Sequence, residues 1–389
     1  MLRGFALFGI LLVNAQLMAG PYTAFGGGPG VSALDRAAAW AVTATTTVYQ
    51  LFSFLLGYSF VLERRTARPA DTGAAGARHL RRTAGLFGLG LVHAVLLYPG
   101  DILMTYAALG LVLYGLRGLA PRTAVRVAAG LVAGLAVLLL GYGLLTVALT
   151  EPVTAAAYAP RAADLAAAYR GGFGSVVGAH LRELPSALGA NLMYTPDMLA
   201  AFLAGLAAAK TRLVERRGRD RVWLRRTLLR WLPVGLAGGV VTAVCANGPL
   251  DSRWFLVGHA VSLLTAPALT ASYACGVLLL AGAVRPAADV LAASGRMALS
   301  QYLTQSLVLA CVFTGYGLGL YDRVGTATVL AGCVLLYALQ LAYGAWLMRR
   351  VRYGPAELLL RTVTLGRRPG RAPACAGSPP AAAGPPPVR

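Results

Sequence analysis

Leu86 to Tyr114 reads LFGLGLVHAVLLYPGDILMTYAALGLVLY, two apolar runs that meet at a tight Pro99-Gly100-Asp101 turn. Runs this hydrophobic do not suit a soluble surface, and the turn makes them an antiparallel pair of membrane helices. The pair carries a histidine and a carboxylate. If both runs span, His93 and Asp101 lie about 7–8 Å apart in depth at one face, counting about 1.5 Å per helical residue. Ionisable groups at that depth are costly, which makes the two a candidate functional site. Two plainer roles stand beside that reading: His93 as a packing residue with one hydrogen bond, and Asp101 as the cap of the helix that follows.

The rest of the chain repeats the pattern. Apolar residues make up 57% of its 389 positions and charged residues only 13%. Mean hydropathy is +0.65, outside the soluble range. Apolar runs of spanning length fall near 4–19, 39–61, 83–98, 102–119, 124–149, 190–209, 231–247, 259–284, 297–314 and 325–348. The expected fold is therefore all-α, a polytopic membrane bundle of about ten transmembrane helices. Charge tests the count. Of 35 Lys and Arg residues, 29 fall at Arg3, in 62–82, 117–126, 210–230 and 285–296, and from Arg349 onward. Only Arg36, Arg161, Arg170, Arg182, Arg253 and Arg323 lie in the alternate connections. That alternation is the positive-inside pattern and puts both termini in the cytoplasm of a multi-pass protein of the inner cell membrane. It also assigns the net charge of +21 to topology and to the anionic lipid headgroups of the bilayer, not to nucleic acid. Oligomeric state is not legible.

The first span, with Arg3 before it and Ala15 to Gly20 after, also fits a signal peptide, but ten-helix topology needs it retained. Because nothing precedes Leu2 but Met1, a start upstream of Met1 is an open expectation. Asn14 lies about 16 Å from Arg3 along a helix, near mid-membrane, where an amide needs partners. In the second span Thr46, Gln50, Ser53 and Gly57 share one inward face. The loop at 62–82 reads as cytoplasmic, with His79 solvated. From Glu151 to Leu188 the chain is too polar for a span, so an outer segment with short helical pieces is expected. His180 and Glu183 read as solvated there, or as lining an outer pocket with His93, Asp101 and Asp197. The basic stretch from Lys210 to Arg230 divides an N-terminal six-helix region, 1–210, from a C-terminal four-helix region, 211–370. It suits lipid phosphates, or a nucleotide-like cofactor, but no phosphate-binding glycine motif accompanies it. In the ninth span Arg296, Ser300 and Thr304 stack at i+4 intervals, with Gln301 and Gln305 on the adjoining row. The Pro/Ala-rich tail, 371–389, reads as disordered. Five cysteines show no metal-like pairing, so no metal site is expected.

Several stretches resemble a known family. They are Leu2-Arg3-Gly4-Phe5-Ala6-Leu7 with Val13-Asn14, Leu51 to Phe60, Leu91-Val92-His93, Gly100-Asp101-Ile102-Leu103 with Tyr106-Ala107, Gly295-Arg296-Met297-Ala298-Leu299 with Tyr302 and Gln305-Ser306, and Tyr353-Gly354-Pro355 with Glu357, Arg361 and Thr364. Together they resemble the YeiB-like bacterial membrane proteins (domain of unknown function 418), up to about Arg371. The N-terminal half is similar to transmembrane acyltransferases such as heparan-alpha-glucosaminide N-acetyltransferase, through Arg3-Gly4 and Val13-Asn14. Where that pattern has a catalytic histidine soon after the asparagine, Gln16 to Val31 has none, and His93 replaces it. The resemblance implies acyl transfer from acetyl-coenzyme A or another acyl donor. His93 would act as base, Asp101 would orient it, and Asn14, Arg3, Gln50, Arg296, Ser300 and Gln305 would lie along the substrate and acyl path. The alternative is a transporter or a lipid- or metabolite-translocating protein in which the same polar faces line a passage.

Overall fold

The computed structural model describes residues 1–22, 31–45, 48–65 and 72–366. Thr46 and the tail from 371 lie outside them. The described residues form fifteen helices: α1 (Leu2–Ala19), α2 (Ala33–Thr45), α3 (Val48–Arg65), α4 (Thr72–Leu96), α5 (Leu103–Gly115), α6 (Pro121–Leu149), α7 (Ala155–Arg170), α8 (Phe173–Lys210), α9 (Leu213–Arg217), α10 (Arg221–Asn247), α11 (Phe255–Ala283), α12 (Arg285–Arg296), α13 (Ala298–Phe313), α14 (Thr326–Leu347) and α15 (Pro355–Leu365). No strand occurs among them. Apart from end residues, the described residues of every expected span lie on helices, those of 39–61 on both α2 and α3. Among the described residues seven are long and apolar enough to cross a membrane: α1, the stretch Ala33–Arg65 that holds α2 and α3, α6, α8, α10, α11 and α14. The chain is thus a helical membrane protein. The other three expected spans are lesser helices. α5 has 13 residues and α13 has 16, about 20 and 24 Å at 1.5 Å per residue, short of a bilayer core of about 30 Å. α4 carries Arg78, Arg81 and Arg82 in its N-terminal half, ahead of its apolar run.

Two elements depart from expectation. The outer segment is not a string of short pieces. α7 takes its first half, and α8 begins at Phe173, well before the apolar run, and takes the second. This first part of α8 need not be apolar, because α7 and the 314–323 loop cover it instead of lipid. Val176 and Ala179 pack with Ala166, Tyr169 and Tyr321, and His180 is 1% exposed, so it is buried and not solvated. The second departure is the ninth span. The helix breaks at Met297, α12 ends on Arg296, and Arg296 is exposed. Arg296, Ser300 and Thr304 therefore do not stack on one helix.

The break is held by a carboxylate from the far end of the chain. Glu357 Oε1 accepts from the Leu299 and Ser300 amides at 2.7 and 3.2 Å, and Ser300 Oγ donates to Glu357 Oε2 at 2.5 Å. In return the Ala356 amide donates to Ser300 Oγ at 3.0 Å. These contacts satisfy the open amides at the α13 N-terminus and suit its dipole. The Glu357→Ala variant leaves them without an acceptor, and we expect it to destabilise the fold by about 1–3 kcal/mol. Thermal unfolding in detergent would read this as a lowered midpoint, with Glu357→Gln intermediate; an unchanged midpoint for the alanine variant would remove the cap from the account.

Glycine sets the closest helix crossings. A Cβ on Gly57 of α3 would fall on the Phe202 carbonyl oxygen of α8, and one on Gly205 of α8 would fall on the Phe54 carbonyl of α3. The Cβ-free faces let the two backbones touch. Gly4 does the same for α1 against Leu291 of α12.

Candidate functional site

The turn after α4 brings the two ionisable groups together. The amides of Leu97 and Tyr98 both donate to the His93 carbonyl, at 2.8 and 3.0 Å, and end the helix. The chain then doubles back through Pro99 and Gly100. Asp101 Oδ2 accepts the Met104 amide at 3.0 Å and so caps the start of α5, as the plainer reading expects. Its other oxygen faces His93. Nδ1 of His93 lies 2.9 Å from Asp101 Oδ1. The separation of about 7–8 Å expected from depth alone is closed because the carboxylate reaches back over the turn toward α4. Gly90, one turn below His93, leaves the room: a Cβ there would meet Asp101 Oδ2 and Met104.

Other helices complete the surroundings. The Tyr302 hydroxyl of α13 donates to Asp101 Oδ1 at 3.3 Å, and its ring lies 5.0 Å from the imidazole. Asn191 of α8 donates to the Asp101 carbonyl at 2.9 Å. His180 places Nδ1 3.0 Å from the Val95 carbonyl, beside the rings of Tyr169 and Tyr316. His93 is 2% exposed and Asp101 0%. The ring is turned so that Nδ1–H does not point along the line to Oδ1, and neither ring nitrogen completes a hydrogen bond to a described residue. A carboxylate beside Nδ1 favours the tautomer that keeps the proton there and leaves Nε2 as a bare lone pair. Buried polar atoms without partners are costly, and His259 Nε2 and the Tyr316 hydroxyl are others among the described residues; what sets His93 apart is the carboxylate beside its ring.

The remaining candidates do not converge on this pair. Asn14 is half-buried and follows Leu7 and Ile10 on one face of α1, the face that packs on Leu103 and Tyr302. Arg3, at the other end of α1, donates to Ser59 Oγ at 2.5 Å. Gln50 donates to both oxygens of Asp197, at 2.9 and 3.1 Å, and Tyr49 donates to the same carboxyl at 2.8 Å. Asp197, 1% exposed, belongs to this second buried cluster and not to an outer pocket with His93. Gln305 donates to Gln340 Oε1 at 2.8 Å, and Gln301 and Gln340 exchange amide bonds with each other's backbone carbonyls at 3.0 and 3.1 Å. The polar row of α13 thus fastens it to α14. Glu183 pairs with Arg161 at 3.7 Å on the surface. His79 is half-buried, stacked on Tyr114 at 4.8 Å, and not solvated. Among the described residues no cluster of three metal-ligating side chains occurs.

The sequence leaves His180 solvated or lining an outer pocket with His93, and its buried place beside Val95 favours the second; Asn191, in the expected 190–209 span, escaped the sequence reading because its partner is a backbone carbonyl 90 residues away. Tyr302 stood in a quoted stretch, but its partner Asp101 is 201 residues away, and no spacing rule joins the two.

Comparison with known proteins follows this geometry. A family described as "Protein of unknown function (DUF418)" matches residues 208–367, the stretch that holds α13, α15 and the Ser300–Glu357 cap. The chain is 30% identical to the uncharacterized protein YxaH of Bacillus subtilis (strain 168), over 93% of this chain and 92% of that one. The chain belongs to the YeiB-like DUF418 family. Its likeness to YeiB of Escherichia coli (strain K12) is 27% identity over 93% of this chain and 94% of the other. An uncharacterized 39.9 kDa protein encoded in the amylase 3' region of Bacillus acidopullulyticus is also 27% identical, over 94% of this chain and 93% of its own. No solved structure matches the chain. Stretches that carry the DUF418 resemblance coincide with contacts described above: Gly4 lies against α12 next to Gly295, and Gly354 and Glu357 close on Met297 and Ser300.

Proposed function

We propose that this DUF418 protein is a transmembrane acyltransferase of the inner cell membrane, which moves an acyl group to an acceptor on the outer side. The reading takes the bundle as ten spans with both termini cytoplasmic, and places the 1–210 region, which carries His93, beside a four-helix region, 211–370. Anionic lipid headgroups then face the arginine-rich ends, and nucleic acid has no part. One observation carries it: a buried imidazole with a carboxylate 2.9 Å from Nδ1 and with Nε2 left without a hydrogen bond to any described residue.

The chemistry needs two changes at one carbonyl. An acceptor hydroxyl or amine loses its proton to His93 Nε2 as its lone pair attacks the acyl carbon; the bond to the donor's leaving group then breaks, and the proton passes from Nε2 to that group. Asp101, 2.9 Å from Nδ1, would stabilise the imidazolium in between. The Tyr302 hydroxyl, beside the imidazole, would be a neutral donor for the carbonyl oxygen, with the Asn14 amide of the α1 face toward Tyr302 as a second. The acyl donor, acetyl-coenzyme A or another activated acyl compound, is a substrate.

Incubation of the purified protein in nanodiscs with radiolabelled acetyl-coenzyme A and acyl-lipid donors tests the reading. Label appearing on a co-purified glycan or lipid is the expected result; absence of label with every donor, from folded protein, would falsify acyl transfer. Asp197 favours a second reading, proton-coupled translocation, because a buried carboxyl held, among the described residues, by neutral Tyr49 and Gln50 is suited to carry a proton through the bilayer. Proteoliposome flux that depends on Asp197 and not on His93 would favour it.

A further inference from the structure

The other end of the α4–α5 hairpin holds a cavity that the acyl-transfer reading does not use. Its volume is ≈ 60 Å³, several times the ~10–15 Å³ that one water requires. Leu56, Leu86, Leu113 and Phe202 form its inner wall, and His79, Glu63 and Arg82 stand at its rim. Such walls would leave water poorly bonded, whereas an alkyl chain would fill them.

The rim is cationic. Arg82 pairs with Glu63 at 2.6 Å, and Arg3 reaches Ser59, another lining residue, at 2.5 Å. The guanidinium of Arg64 lies 5.9 Å from the Phe60 ring centre and 5.4 Å from that of Tyr114, and Arg117 lies 4.3 Å from Tyr114. Four guanidinium groups thus stand at this end of the hairpin, Arg82 lining the cavity and Arg3, Arg64 and Arg117 on the neighbouring Ser59, Phe60 and Tyr114. Phosphate is the head that such a group selects, because planar N–H forks match its oxygens. His79 is fixed between Tyr114 and Phe60, with Nε2 3.1 Å from the Gly110 carbonyl, so the rim is built and not a loose set of surface arginines.

We propose that this cavity binds a phosphate-bearing alkyl or acyl chain, its head between Arg82 and Arg64 and its chain between α3, α5 and α8. The site stands apart from the transfer reading. His79, Thr83, Leu86, Gly90 and His93 do share one face of α4 at alternate spacings of four and three residues, so the chain would lie on the line that leads to the His93–Asp101 pair.

The test is binding, with no turnover required. Purified protein in a neutral maltoside detergent is titrated with dodecyl phosphate, butyl phosphate, inorganic phosphate and dodecyltrimethylammonium, read by native mass spectrometry and by thermal unfolding. Dodecyl phosphate is expected to form a one-to-one adduct and to raise the midpoint; the cationic amphiphile and inorganic phosphate are not. Arg82→Gln should weaken it about tenfold or more, and the remote Arg226→Gln should not. Gly110→Leu adds a side chain where nothing lies within 4 Å of the Cβ position and should block the chain. Tighter binding of the dodecyl than of the butyl compound would assign a membrane lipid as source, equal binding a soluble organic phosphate. Equal loss in Arg82→Gln and Arg226→Gln, or binding of the cationic amphiphile as tight as that of dodecyl phosphate, would overturn the site. Should Gly110→Leu fail to fold, the pair of arginine variants decides.

Discussion

The His93→Ala variant is expected to lose acyl transfer by about 10²–10⁴-fold, the usual contribution of a positioned general base. Alanine also empties a buried site and removes the group 2.9 Å from Asp101, so some loss of stability is expected beside it, and His93→Gln, closer in volume, controls for that loss. The loss of transfer should therefore appear in both variants, with the elution profile and the unfolding midpoint of His93→Gln less changed than those of His93→Ala. Asp101 separates two roles. Asp101→Asn keeps a side-chain oxygen for the Met104 amide, and asparagine caps helices about as well as aspartate. It removes the charge that holds the imidazole tautomer, so transfer should fall steeply, by up to about 10⁴-fold in a His–Asp pair. Asp101→Ala also loses the cap, and should lower stability by about 1 kcal/mol more than the asparagine variant. Transfer at the wild-type rate in His93→Ala would remove the pair from the mechanism. Transfer lost in Asp101→Ala but kept in Asp101→Asn would leave Asp101 only its role as a cap.

Replacement of Gly57 or Gly205 by leucine should be the most damaging change to the fold. Each Cβ position coincides with a backbone carbonyl of the facing helix, and a backbone atom cannot swing aside as a side chain does. Overpacking commonly costs about 1–3 kcal/mol, and here separation of α3 from α8 puts the value at the upper end or above. The damage would spread along the seam, because Gln50 and Ser53 lie on the Gly57 face of α3 and Asp197 on the Gly205 face of α8. Size-exclusion chromatography should show aggregation or a sharply lowered unfolding midpoint for either variant. Gly134→Leu on α6, with nothing within 4 Å of its Cβ position, should behave as wild type. If Gly57→Leu did so too, α3 and α8 would not cross in backbone contact.

How the candidate site was legible depends on distance along the chain. His93 and Asp101 were found because eight residues separate them and one tight turn must fold them back; only the closeness of the approach was missed. Gln50 was placed correctly on an inward face by its spacing with Ser53 and Gly57, yet its partner Asp197 is 147 residues away. Ser300 and Gln305 were read as one polar face of a continuous helix. In the fold they do separate work, Ser300 with the α15 carboxylate and Gln305 with α14. Ser294-Gly295 just before Met297 is a local signal for the break, but the capping carboxylate, Glu357, arrives from beyond α14.

The sequence by itself determined that the chain is a bundle of membrane helices. Apolar runs of bilayer length leave the backbone no other way to satisfy its amides and carbonyls in lipid. It also determined where an ionisable pair would sit in that bundle. Tertiary structure alone decided which helix ends α7 and the loops would bury, which polar side chains would serve as fasteners between helices, and that Tyr302, Asn191 and His180 would gather around the pair. The physical reason is one of range. Hydrophobic length and local turns are properties of neighbouring residues, whereas hydrogen bonds between helices depend on crossings that glycines at Gly4, Gly57 and Gly205 permit and that no local pattern encodes.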